Sequence, residues 1–299
     1  MVAEDSYGDG DEASSAVKQT IMLLQSGDPS SAVQAAKDIR RLTKTSRRHR
    51  RHFSAAITPL VDMLCGGSAH AKEAALAALL NLAVKDDVNK INIINGGALN
   101  PIITFLESDN VIVQEHATAA LITLSASSHN KPIIGASGAT PLLVHVLRCG
   151  GSSSRARSDA ATALYNLSTH QENLTFILHA EPIPPLISLL KSCKKSSKTA
   201  AKCAAVIESL AAFEAGRSAV ASEEGGILTV VEVVEGGSVR GREHAVGALL
   251  RMCESEPSKY REAILEEGVM PGLMEVSVEG SGASRSRAQT LLRLLRDAP

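Results

Sequence analysis

The sequence predicts an all-α solenoid, a stack of helical repeats without a sheet. Two recurring landmarks carry the prediction. The first is a run of small residues closed by a Leu-rich triplet. It reads AALAALLNLA (74–83), ATAALITLSA (117–126), AATALYNLST (160–169), CAAVIESLAA (203–212), AVGALLRMCE (245–254) and AQTLLRLLRD (288–297), with a weaker copy AAKDIRRLTK (35–44). One position of it falls at Arg41, Asn81, Thr123, Asn166, Ser209, Arg251 and Arg293, at gaps of 40, 42, 43, 43, 42 and 42 residues. The second is a small residue followed by an apolar stretch, often with Pro: AAITPLVDML (55–64), GALNPIITFL (97–106), GATPLLVHVL (138–147), EPIPPLISLL (181–190), GGILTVVEVV (225–234) and GVMPGLMEVS (268–277). Its spacing keeps the same beat. A period of this length is the signature of a repeat array.

Each unit reads as three helices. A short first helix, such as VNKINIIN (88–95) or YREAILEE (260–267), precedes the Gly. Gly97, Gly138, Gly225 and Gly268 then mark a sharp turn, because Gly accepts a positive φ at a helix C-terminus. Pro59, Pro101, Pro141, Pro184, Pro185 and Pro271 fall in the first turn of the second helix, where a missing N–H costs nothing. The small-residue run is the third helix. Thr169 and Glu172 have the spacing of a capping box opening a first helix. The β-branched runs 111–113 and 227–234 favour strand on propensity, but their register makes them helices. One unit cannot bury its own apolar face, so the array forms one domain by stacking. That domain is expected over 15–299, as six to seven repeats. Residues 1–14 carry Glu4, Asp5, Asp9, Asp11 and Glu12 with no Lys or Arg, and are expected to be a disordered acidic tail.

Short helix, Gly, an IPPLISLL-type helix and then AATALYNLS resembles the armadillo repeat, and most closely the repeat region of plant U-box ubiquitin ligases. The resemblance covers about 15–299. It implies a right-handed superhelix whose third helices line a concave groove that binds other proteins. It implies partners in plant signalling or ubiquitin-dependent turnover, such as a kinase or a ligase component. The family's U-box precedes its repeats; here only the acidic stretch does, so no ligase chemistry is expected of this chain. A substrate-recognition part of a U-box ligase system is the alternative. Glu181 stands where the family prefers Gly, so a looser turn is expected there.

The groove residues follow from helix geometry, since positions four apart share a face. The landmark set is Arg41, Asn81, Thr123, Asn166, Ser209, Arg251 and Arg293; four residues earlier stand Lys37, Ala77, Ala119, Thr162, Ala205, Gly247 and Gln289. In the armadillo family these positions are often Asn and Trp, and the Asn binds the backbone of an extended peptide. Here the Trp array is missing, which disfavours recognition of the import-receptor kind. Asn81 and Asn166 keep an amide donor and acceptor suited to a peptide backbone. Glu73 and Glu115, eight residues before the landmark, with Arg251 and Arg293 late in the chain, would make a groove acidic early and basic late. The bland reading is a polar, solvated face.

The loops RCGGSSSRARS (148–158), KSCKKSSKTAAK (191–202), GGSVRGRE (236–243) and GSGASRSRA (280–288) join second to third helices. They read as a solvated edge, or as an anion-binding rim for a phosphorylated protein or nucleic acid. The run RRLTKTSRRHRRH (40–52), with Arg47, Arg48, Arg50 and Arg51, falls at a third-to-first helix connection. It reads as a nuclear-import or anion-binding patch, or as a solvated cap.

Other classes are poorly supplied. Net charge is −1 and aromatics are 2%, with no Trp, which argues against a nucleic-acid binder. Nucleotide-loop and nucleophile-elbow motifs are missing, no cofactor or metal is expected, and His116 and His244, at one repeat position, lie too far apart to share an ion. Cys203 reads as a small core residue. The five scattered cysteines suit a reducing compartment, and no apolar run approaches 18 residues. A monomeric, non-enzymatic scaffold or adaptor in the cytoplasm or nucleus is the expectation.

Overall fold

The structure, a computed structural model, describes residues 8–296, with side chains from Ser15. It divides into two compact units, 1–137 and 138–299. The described residues form helices joined by turns and short loops, without strand.

In the first unit the helices are α1 (Gly8–Leu24), α2 (Pro29–Thr43), α3 (Arg47–His52), α4 (Ile57–Gly66), α5 (Ala69–Ala83), α6 (Asp87–Asn95), α7 (Leu99–Thr104), α8 (Val111–Ser125) and α9 (Asn130–Ala136). In the second they are α10 (Ala139–Arg148), α11 (Ser154–Ser168), α12 (Asn173–His179), α13 (Ile183–Ser192), α14 (Lys198–Leu210), α15 (Glu214–Ser222), α16 (Gly226–Gly236), α17 (Val239–Ser255), α18 (Pro257–Glu266), α19 (Met270–Glu279) and α20 (Gly282–Arg296). The third helices are α2, α5, α8, α11, α14, α17 and α20. The β-branched runs 111–113 and 227–234 lie inside α8 and α16, as the register requires. α1 opens at Gly8, inside the stretch expected to be a tail; residues 1–7 lie outside the described residues. Once the apolar residues of a helix have nucleated it, extension by further turns costs little.

Third helices pack on one another within each unit: α2 on α5 and α5 on α8, then α11 on α14, α14 on α17 and α17 on α20. Small residues permit the approach. Ala74, Ala75, Ala77 and Ala78 of α5 are all buried, with Leu76, Leu79 and Leu82 filling the layer.

Every third helix opens on a side-chain cap. Asp28 accepts from the Ser31 amide, Ser68 from Ala71, Asn110 from Ile112 and Val113, Ser153 from Ala156, Ser197 from Ala200, Ser238 from Gly241 and Ser281 from Ser284. The caps recur at gaps of 40, 42, 43, 44, 41 and 43 residues, a third landmark in phase with the other two. The hydroxyl-rich loops therefore supply helix starts, one Ser in each.

Three local expectations need correction. Thr169 does not open α12: its hydroxyl donates back to the Asn166 carbonyl, and it ends α11. A residue there closes a helix that needs acceptors satisfied. Glu181 does not loosen its turn. It adopts φ 53°, beside Gly97, Gly138, Gly225 and Gly268 at 61° to 92°. Arg148 braces it, donating to its carbonyl at 2.9 Å. The run 40–52 is not mere connection. Ser46 caps a short helix, α3, by accepting from the His49 amide.

A buried polar residue sits at one position of each first helix: Arg50, Asn89, Asn130, Asn173 and Arg217, replaced by Tyr260 in the last. Arg50 donates to the Thr43 carbonyl at 2.9 Å, Asn89 to Leu82 at 3.0 Å, Asn130 to Leu124 at 3.2 Å, Asn173 to Leu167 at 3.1 Å and Arg217 to Ala211 at 3.1 Å. Each carbonyl lies at the end of the preceding third helix. Asn89 and Asn130 also donate to the first helix one repeat earlier, at Arg50 (3.3 Å) and Lys90 (3.1 Å).

Two outcomes follow. Asn130→Ala removes two buried amide–carbonyl hydrogen bonds and should cost about 1–3 kcal/mol in chemical denaturation, whereas exposed Asn100→Ala should change stability by less than ~0.5 kcal/mol. Glu181→Gly relieves a left-handed non-Gly residue and should raise stability by about 1 kcal/mol, read as a higher denaturation midpoint.

Candidate functional site

The landmark positions share one environment. Arg41, Asn81, Thr123, Asn166, Ser209, Arg251 and Arg293 lie near the C-terminal ends of their third helices, and each is half-buried or exposed. The positions four residues earlier do not share that face in full. Ala77, Thr162, Ala205 and Gly247 are buried, while Lys37 and Gln289 are exposed. They lie nearer the seam between neighbouring third helices, so the exposed stripe is narrower than expected.

In the first unit, Asn81 donates its amide to the Arg40 carbonyl on α2 at 2.7 Å. One of its two N–H groups thus ties adjacent repeats together. Thr123 donates to Ala119 of its own helix at 3.0 Å. Lys37 Nζ lies 3.2 Å from His70 Nε2, and Arg41 pairs with Asp38 at 3.3 Å. Glu73 on α5 faces His116 on α8 at 4.0 Å. Both line a cavity of about 360 Å³ walled by Leu76, Phe105 and Val113. Glu115 is half-buried on α8.

The basic run splits. Arg47 and Arg48 are exposed, and Arg51 pairs with Asp86 at 3.7 Å. Arg50, only 5% exposed, is the interior cap described above and cannot serve a surface patch.

In the second unit, Ser209 donates to Ala205 of its own helix at 2.9 Å. Arg251 and Arg293 are exposed, and Asn166 is half-buried. Sequence reasoning missed a charge bridge across three helices. Glu208 of α14 is buried and accepts from His244 of α17 at 2.7 Å and from Arg287 of α20 at 3.0 Å. Gly247 makes room for it: a Cβ there would sit 2.3 Å from Glu208 Oε1. The signal was a Gly in mid-helix flanked, one repeat either way, by Glu and Arg. Beside the bridge lies a second cavity, of about 520 Å³, at the N-terminal halves of α14 and α17.

Among the described residues no group of three or more His, Cys, Asp or Glu side chains could hold a metal ion, and no helix is long and apolar enough to cross a membrane. Cys203 is buried, and burial pushes its thiol far up; Cys253 is buried and its thiol is raised to about 11. Both are packing residues rather than nucleophiles.

Comparison with known proteins agrees with this architecture. The family described as plant U-box protein ARM repeat region matches residues 142–298, more than half of the chain. The chain belongs to this ARM repeat family. Its relatives include U-box domain-containing protein 45 of Arabidopsis thaliana, 32% identical over 77% of this chain and 29% of the relative. U-box domain-containing protein 17 of the same plant is 31% identical over 92% of this chain and 38% of the relative. The ARM chain thus spans about a third of the length of these relatives, and the match is to their repeat region. Among solved structures, an engineered protein superposes with a TM-score of 0.80 at 21% identity, covering 95% of this chain and 69% of its own. A designed armadillo repeat protein in complex with the peptide (KR)4 gives 0.55 at 18% identity, over 93% of this chain and 98% of its own. These place the ARM chain in the armadillo solenoid fold.

The charge bridge gives a measurable outcome. Glu208→Gln keeps the shape but removes the charge that His244 and Arg287 share. It should lower stability by about 1–2 kcal/mol in chemical denaturation, with helix content unchanged in circular dichroism.

Proposed function

We propose that the chain is a non-enzymatic interaction module that holds an extended segment of a partner protein along its third-helix faces. One observation supports this most. A half-buried or exposed residue recurs at the same register of all seven third helices, and cavities of about 360 and 520 Å³ open between consecutive third helices, one in each unit. An extended chain advances by a fixed length per residue, so a periodic face suits it better than a compact epitope. The designed armadillo protein that carries a peptide is a precedent on the same fold.

The side chains present set the chemistry. The cavity between α5 and α8 offers Glu73 and His116 over an apolar wall of Leu76 and Phe105, a place for an apolar or basic side chain. Asn81 contributes by keeping the repeats in register. Kinship with U-box proteins supports a role in ubiquitin-dependent regulation, in which the module selects the protein to be acted on.

Site-specific photo-crosslinking tests the reading. A photoreactive amino acid placed at Lys37, Thr123 or Arg251 should capture a partner from plant cell extract, and placement at Asp62 or Met274 on second helices should not. Adducts confined to the second-helix positions would refute it. Arg251→Glu with Arg41→Glu should weaken capture at least ~10-fold.

A further inference from the structure

The second cavity differs in kind from the first. Its lining includes Tyr165, Lys198, Lys202, Arg240 and His244, and no Asp or Glu. Two of these cations sit where a helix least welcomes them. Lys198 is the first residue of α14 and Arg240 the second of α17, both at the positive end of the helix dipole. Neither helix has an acidic residue in its first turn. Ser197 and Ser238 cap these helices, and two cations rather than carboxylates stand beside the caps.

Other cations near the starts of α11, α14 and α17 are paired. Lys195 pairs with Glu232 at 3.0 Å, Arg242 with Glu275, and Arg155 with Asp159 at 3.8 Å. Glu208 is taken up by His244 and Arg287. Lys198 and Arg240 form no ion pair among the described residues. Lys202 donates to the Thr162 hydroxyl at 2.9 Å. Partial burial lowers its ammonium from the ordinary lysine value, against the attraction of Asp159. Two lysines and an arginine thus line one cavity with no carboxylate in its wall.

We propose that this cavity is a recognition site for a phosphorylated side chain, Ser or Thr, on the segment that the third-helix face holds. The inference rests on the interaction-module reading and names the chemistry of one of its subsites. A phosphate monoester brings close to two negative charges and three acceptor oxygens, which match three separate donors. A carboxylate brings one charge and two oxygens in a plane, and would leave cations unsatisfied. Tyr165 and Val239 give the apolar wall against which the stem of the residue can lie.

The test uses the full chain and a degenerate peptide pool with a central phosphoserine, alongside its Ser and Asp twins, with fluorescence anisotropy at about physiological salt. The phosphoserine pool should bind at least ~10-fold more tightly than either twin. Lys198→Glu with Arg240→Glu should remove that preference. Lys194→Glu with Arg285→Glu, outside the cavity and of equal charge change, should leave it within ~2-fold. Circular dichroism melting confirms that both variants fold. Equal binding of the Asp twin, equal loss in both variants, or equal displacement by a single-stranded RNA would overturn the site. So would failure of every pool to bind. Crosslinks at the third-helix positions persisting beside such a failure would leave the interaction module standing and remove only the phosphoryl site.

Discussion

At the ends of α2, α5, α8, α11 and α14 a terminal carbonyl faces a buried side chain of the next first helix. A buried acceptor left unpaired costs as much as a lost hydrogen bond. The chain meets this constraint from the next first helix. Asn89, Asn130 and Asn173 reach back over six or seven residues to the terminal carbonyls, and Arg50 and Arg217 do so on longer arms. Because Asn89 and Asn130 also grip the first helix before them, the same side chain ends one helix and sets the height of the next. The repeat distance is thus set by a polar bond, and the apolar layer fills around it. The regular exposure of the landmark positions follows, since each third helix starts from a cap and stops at a fixed point.

The fold was legible because the residues that make it are unambiguous by type. Ala at the seam and Leu between layers cannot be exchanged for charge without opening the stack. Positive φ at Gly97, Gly138, Gly225 and Gly268 follows from a turn that other residues resist. Glu181 shows the limit of that logic: the geometry of the turn belongs to the stack, and a non-Gly residue is bent to it when Arg148 can hold its carbonyl. The serine caps were equally periodic, yet hidden, because Ser among Lys, Arg and Gly reads as loop composition.

The site was less legible, for a reason that Arg50 makes plain. It stands in a run of basic residues, and nothing in its type separates it from Arg47, Arg48 or Arg51. What turns it inward is the Thr43 carbonyl, seven residues away, which composition does not reveal. Asn81 is the milder case. Its type suits it to bind a peptide backbone, and one of its N–H groups binds that of Arg40 in its own chain. Donor and acceptor chemistry can be read from a residue; the choice between an internal and an external partner depends on distances between repeats.

The charges of the second unit bring these two lessons together. Glu208 would be the natural counter-ion for cations on α14 and α17, but His244 and Arg287 already hold it, with Gly247 clearing the space. The residues that hold α14, α17 and α20 together thereby withdraw a carboxylate from the neighbouring cavity. Ser197 and Ser238, by capping those helices, place Lys198 and Arg240 at their positive ends. Local positive potential is therefore produced by the folding devices themselves: a cap that fixes where a helix begins and a bridge that consumes the nearest anion. Such an arrangement costs the free protein self-repulsion. An arriving anion removes that cost, so the same charges that oppose the folded chain favour its complex.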